Sequence, residues 1–240
     1  MIEDQILHQK RVIQILSGIL IFLQFFLYAS TYVQAALFGQ LQFPAFLISD
    51  TIAGDPGRAI ATFFFPILSM LIFIIAGSRI SRMSRIFVDN YDAGVKAWRI
   101  NGRIFTTLQV SVIVTVVGIV GVAAVPVTVQ PLLHTVIAGI MVVAGSLASV
   151  CFTILDYRLG IQRPKWIEIV RNILSFLGVA GAITFGAVLQ TQKLAASIFE
   201  IIDTCLFTIY LTTFSTAAEF PLRVTYGPNR QPPRPSNPPI

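Results

Sequence analysis

Six long apolar segments, separated by shorter polar stretches, run through most of the chain. Because a hydrocarbon core about 30 Å thick needs about 20 helical residues, segments of this length predict membrane-spanning helices. The predicted spans are Val12–Phe38, Ala59–Gly77, Ile104–Val125, Leu132–Leu155, Ile173–Gln190 and Leu194–Ala218. The sequence therefore predicts an all-α polytopic membrane protein. Its six-helix transmembrane domain covers residues 12–220, between a short N-terminus at 1–11 and a Pro-rich tail at 221–240 that we expect to be disordered.

The composition supports a membrane protein and excludes a soluble enzyme. Hydrophobic residues make up 55% of the chain and charged residues only 12%, about half the roughly 25% of soluble domains. The net charge of +6 does not indicate nucleic acid. In membrane proteins, excess lysine and arginine lie in cytosolic loops, where they contact anionic lipid.

The basic residues predict which way the protein is inserted. Of all lysines and arginines, only Arg58 and Lys193 fall on one side of the six predicted spans. The positive-inside rule therefore places both termini in the cytosol. The richest basic stretch is the predicted cytosolic loop after span two, which contains Arg79, Arg82, Arg85, Lys96, Arg99 and Arg103. This loop either attracts phosphoinositides or only sets the topology.

Several polar residues gather at the opposite, non-cytosolic leaflet. They are Ser49, Asp50, Arg58, His134, Glu200 and Asp203. Glu200 and Asp203 are three residues apart, so they share one helix face. Three interpretations remain open: a structural polar network, a lipid-binding site, and a catalytic or metal site. A metal site is the least favoured, because the two histidines lie on opposite sides, and no residue is assigned as a metal ligand or catalytic residue and no cofactor is expected.

Small residues in the fifth span predict a close helix contact. Gly178, Ala182 and Gly186 recur every four residues, which lets two helix backbones approach each other. Such a ridge serves packing within one chain or an interface between copies. The oligomeric state therefore stays open.

Three stretches of the chain match known family motifs. Residues Phe43–Thr51 (FPAFLISDT) follow the first span, Leu132–His134 leads to Phe152–Arg158 (FTILDYR) in the fourth, and Ser197–Glu200 (SIFE) begins the sixth. Together they resemble the six-span DRAM (damage-regulated autophagy modulator) family. The resemblance covers residues 12–220 and places Ser49, Asp50, His134 and Glu200 at motif positions, without a catalytic role.

The resemblance implies a function in organising membrane lipids without catalysis. The fourth-span motif looks most like a plasma-membrane branch that helps to place a phosphatidylinositol 4-kinase complex and to maintain sterol and phospholipid asymmetry. The expected partners are therefore membrane lipids and a cytosolic kinase scaffold. Two alternatives remain: a GPI-anchor lipid remodelling factor in the ER or Golgi membrane, and an autophagy modulator in the endolysosomal membrane.

Overall fold

The structure is a bundle of long helices. The computed structural model of the protein describes residues 2–39, 51–52, 54–89, 95–188, 193–215 and 223–224. Within these residues the helices are α1 (Ile2–Leu37), α2 (Gly57–Asp89), α3 (Val95–Ala124), α4 (Pro131–Arg158), α5 (Lys165–Val188) and α6 (Lys193–Thr212). A 3₁₀ turn, Thr213–Ser215, continues α6, and two short strands, β1 (Ile161–Gln162) and β2 (Arg223–Val224), pair antiparallel.

Five of the helices are long and apolar enough to cross a membrane. These segments are His8–Leu37, Gly57–Phe87, Ile100–Ala124, Pro131–Arg158 and Lys165–Ala187. The multi-pass helical prediction is therefore confirmed for spans one to five. The sixth span and the cytosolic location of both termini stay predictions, although α6 is packed into the bundle with Tyr210 and Leu211 fully buried.

The distribution of apolar and polar side chains fits a bilayer. Large apolar side chains face outward, including Phe22 at 65% exposure and Phe176 at 72%. Small polar side chains are buried instead, including Ser69, Ser111 and Thr115. Ser69 donates its hydroxyl to the backbone carbonyl of Val116 at 2.8 Å, which joins α2 to α3. Since lipid tails are apolar, helix association in a bilayer depends on such hydrogen bonds and on close packing.

Each helix packs against the next one along the chain. Helix α6 then contacts α1, α2 and α4, which closes the bundle. The most extensive pairing joins α3 to α4. Glycines allow it, because a Cβ at Gly118 would lie only 2.7 Å from the Met141 Cβ, and one at Gly121 would lie 3.0 Å from the Ile137 Cγ2.

The turn between α4 and α5 is compact. After the last residue of α4, the Leu159 amide donates to the Leu155 carbonyl at 2.8 Å. Gly160 then adopts a left-handed conformation with φ of 63°, the usual end of a helix. Strand β1 follows at once and pairs with β2 of the C-terminal segment, Ile161 lying opposite Val224. This turn positions Arg163 beside the end of α4.

The helices extend beyond the predicted spans. Helix α1 begins at Ile2, within the predicted N-terminus, and α2 continues to Asp89. Most of the predicted basic loop is therefore helical, and residues 90–94, between α2 and α3 in sequence, are not among the described residues. The apolar pattern ends before the helix does, because backbone hydrogen bonds continue the helix through the charged residues that follow.

Candidate functional site

A buried carboxylate binds three arginines at one end of the bundle. The Asp156 Oδ1 accepts a hydrogen bond from the Arg79 Nη2 at 2.6 Å. Its Oδ2 lies 2.9 Å from the Arg163 Nη2 and 3.1 Å from the Arg171 Nη1. Asp156 and Arg171 are completely buried, and Arg79 is only 2% exposed. We call these four residues the Asp156 cluster, and the end of the bundle that holds them the arginine end.

Aromatic rings and a hydroxyl complete the surroundings of Arg171. Its Nε donates to the Thr213 Oγ1 at 2.7 Å. Its guanidinium carbon lies 4.6 Å from the centre of the Phe214 ring and 5.8 Å from that of Tyr210. The Arg79 guanidinium lies 5.3 Å from the same Phe214 ring. Ring faces attract cations, so these aromatic side chains stabilise a cluster in which arginines outnumber carboxylates.

The Asp156 cluster fastens several elements to each other. Arg79 comes from α2, Asp156 from α4 and Arg171 from α5, while Phe214 follows α6. Sequence reasoning missed this arrangement and assigned Arg79 to the cytosolic basic loop after span two. That assignment is wrong, because Arg79 points into the bundle. A buried guanidinium is stable there only when it is paired with a carboxylate. Asp156, an acidic residue directly after the last residue of the predicted fourth span, was the signal that could have indicated this arrangement.

Other basic side chains at the arginine end face outward. Arg82 is half-buried, and its Nη2 lies 3.5 Å from the Ser78 hydroxyl. The side chains of Lys96 and Arg99 lie outside the described residues. Besides Arg11 of α1, the described exposed basic side chains at this end come one from each of four helices, and we call these four the basic face: Arg85, Arg103, Arg158 and Lys165.

Aromatic side chains accompany the basic face. Tyr157 is 81% exposed and Trp166 is 58% exposed. Each is next to a basic residue of the face, Arg158 and Lys165 respectively. Tyrosine and tryptophan concentrate where the hydrocarbon core meets the headgroups. Tyr157 and Trp166 are thus of the residue types expected where the helices leave the hydrocarbon core.

A cavity lies between the helices, and all six contribute to its wall. It provides about 90 Å³ for the centres of water-sized molecules. Most of the wall is apolar, with Leu68 and Phe207 among its residues. Glu200 and Asp203 both line it, as their spacing on one helix face predicts. Asp203 is 6% exposed.

Hydrogen bonds between α1 and α6 shape one wall of the cavity. The Gln24 Nε2 donates to the Thr204 carbonyl at 3.0 Å and to the Tyr28 hydroxyl oxygen at 3.2 Å. The Thr204 hydroxyl donates to the Glu200 carbonyl at 2.9 Å. These bonds join α1 to α6 beside the residues that line the cavity.

The other residues of the predicted polar group lie elsewhere. His134 is buried, and its Nδ1 lies 2.6 Å from the Val125 carbonyl oxygen, which fixes the connection from α3 to α4. Arg58 is exposed in a shallow surface depression with Asp55. Neither His134 nor Arg58 belongs to the wall of the cavity. Ser49 and Asp50 lie outside the described residues.

Comparison with known families agrees with the fold and with the sequence motifs. The family model of the Frag1/DRAM/Sfk1/Cwh43P N-terminal domain matches residues 11–220. The chain belongs to this family. The match confirms the resemblance to DRAM proteins and includes the Asp156 cluster, the basic face and the cavity. No curated protein and no solved structure matches the chain significantly.

Membership of the Frag1/DRAM/Sfk1/Cwh43P family and the five apolar helices together establish an integral multi-pass membrane protein. The described residues contain no group of three histidine, cysteine or acidic side chains able to hold a metal ion. The two described regions with concentrated polar chemistry are the arginine end and the cavity. Both are candidate functional sites.

Proposed function

We propose that the protein organises membrane lipids without catalysis, by holding anionic headgroups, phosphoinositides included, against its basic face. The observation that carries this proposal is the convergence of four exposed basic side chains at one end of the bundle. The nearby Glu168 is also exposed, so the described exposed charges around the face are mainly positive.

The Asp156 cluster supports the proposal because it orders the helix ends that carry the basic face. Arg158 is two residues from Asp156, and Lys165 is two residues from Arg163. Helix ends that are fixed in this way present their surface charges in a constant arrangement. Each basic residue near an anionic membrane surface contributes about 1 kcal/mol, which corresponds to roughly a fivefold change in affinity.

The same face suits a cytosolic partner. If the positive-inside orientation holds, the basic face meets the cytosol, where a phosphoinositide kinase scaffold would find both lipid and protein. We therefore propose the plasma membrane as the location and such a scaffold as the partner. GPI-lipid remodelling is less well supported, because a general base must reach its reacting group and the described His134 contacts a backbone carbonyl away from the cavity.

Neutralising the basic face should weaken binding of anionic lipid. We expect the variant with Arg85→Gln, Arg103→Gln, Arg158→Gln and Lys165→Gln to bind phosphatidylinositol 4-phosphate at least roughly thirtyfold more weakly than the wild type. The measurement is titration of a fluorescent form of this lipid into the full chain in neutral detergent. Since the interaction is electrostatic and exposed, salt should weaken it in the wild type more than in the variant.

The control is Arg58→Gln, because Arg58 is an exposed arginine on α2 outside the arginine end. This variant should bind the lipid like the wild type. Equal affinities of the fourfold variant and the control would contradict the proposal. Equal binding of a neutral lipid such as phosphatidylcholine would also contradict it.

A further inference from the structure

Asp203 is a buried carboxyl group with no protein partner among the described residues. Neither its Oδ1 nor its Oδ2 accepts a hydrogen bond from any of them, although the residue is only 6% exposed. The side chain lines the cavity between the helices. A buried polar group without a partner is costly. A ligand, water or a proton in the cavity must therefore stabilise this carboxyl group.

Helix α5 leaves space for this carboxyl group. A Cβ at Gly181 would overlap the Asp203 Oδ1, so a glycine at this position lets α5 and the Asp203 side chain lie against each other. Gly181 stands outside the four-residue ridge of small residues in span five. The carboxyl group is thus held between α6 and α5, facing the cavity.

The size of the cavity decides which ligands fit. It offers about 90 Å³ for the centres of water-sized molecules. A cavity needs room for at least one water-sized sphere, about 10–15 Å³, to hold a water, and an engineered cavity of about 150 Å³ accepts benzene. The space therefore holds several waters or a small ion.

We propose that the cavity binds a small monovalent metal cation, with its remaining water, at the Asp203 carboxylate. One positive charge balances the buried Asp203 carboxylate, and the half-buried Glu200, Thr204 and Tyr28 line the same cavity. Ca²⁺ takes six to eight oxygen ligands, often from several carboxylates. The described residues provide no group of three acidic or other metal-binding side chains. The site is distinct from the basic face and does not depend on it.

The test is the thermal stability of the full chain in detergent or nanodiscs, measured while choline chloride is exchanged for NaCl or KCl at constant ionic strength. A ligand that binds only the folded state stabilises it in proportion to ln(1 + [L]/Kd). At about ten times the Kd we expect Tm to rise by roughly 3–6 °C with Na⁺ or K⁺. Methyl groups cover the charge of choline, so oxygen atoms cannot coordinate it directly, and it should not raise Tm.

Two variants show whether the rise in Tm comes from a cation bound at Asp203. Asp203→Asn removes the charge and should abolish the rise in Tm. Glu168→Gln removes an exposed acid from α5 and should leave the rise unchanged. Equal Tm values in choline and in both salts for the wild type would overturn the proposal. The same rise in Asp203→Asn, or a rise with Ca²⁺ alone, would also overturn it.

A second measurement applies even if Asp203→Asn does not fold. Radioactive sodium should bind saturably to the wild-type protein and to Glu168→Gln, and unlabelled sodium should displace it while choline should not. If sodium does not bind saturably and unlabelled K⁺ does not stabilise the wild type either, the cavity holds a proton or water only, which contradicts the proposal.

Discussion

Replacing Asp156 by alanine should lower the free energy of unfolding by about 3–5 kcal/mol, because buried arginines lose their shared carboxylate. Arg79, Arg163 and Arg171 would then repel one another without the group that binds all three. We expect a strongly reduced Tm and loss of the monodisperse peak when the detergent-solubilised protein is heated and passed over a size-exclusion column.

A double variant separates this explanation from a general effect of substitution. Combining Asp156→Ala with Arg79→Leu removes one of the buried positive charges together with the carboxylate. The loss should then be smaller than the sum of the two single losses, with a coupling of about 0.5–3 kcal/mol. Glu168→Gln, which removes an exposed acid from α5, should change stability little. Additive losses in the double variant would show that Asp156 does not stabilise through its arginines.

Replacing Gly118 by leucine should separate α3 from α4, the two helices with the most extensive contact. A Cβ at this position would lie 2.7 Å from the Met141 Cβ and 3.3 Å from its Cα, so the neighbour cannot move aside by a side-chain rotation alone. Overpacking of this kind costs about 1–3 kcal/mol and occasionally more. The measurement is Tm of the purified protein.

The matched control is Gly139→Leu on the facing helix. A Cβ at Gly139 meets no atom within 4 Å, so this variant adds the same side chain without a clash. It should retain a Tm close to that of the wild type. A similar loss in both variants would mean that the close approach at Gly118 is not what holds the two helices together.

The lengths of the apolar segments predicted the spans, because the thickness of the bilayer sets the length that a spanning helix needs. The helix ends were not predictable from the same pattern. In α2 the apolar segment ends near Gly77, whereas the helix continues to Asp89. Charged residues such as Arg82 and Arg85 continue the helix outside the hydrocarbon core.

Helical spacing also predicted part of the candidate sites. Glu200 and Asp203 line the same cavity, as residues three positions apart on one helix should. The partners of Asp156 were not predictable, because Arg79 is 77 positions away along the chain. Arg79 was counted with the other basic residues, although its side chain points into the bundle. Composition and loop charge could not show this, because they carry no information on which helices are in contact.

The most direct test of the proposed function is made in cells that lack the protein. They receive the wild type, the fourfold variant of the basic face or His134→Ala, and the distribution of phosphatidylinositol 4-phosphate and the composition of GPI lipids are measured. We expect phosphatidylinositol 4-phosphate to be displaced from the plasma membrane. The wild type and His134→Ala should restore it, the fourfold variant should not, and GPI lipids should be normal. Altered GPI lipids that only the wild type restores, with normal phosphatidylinositol 4-phosphate, would contradict this account.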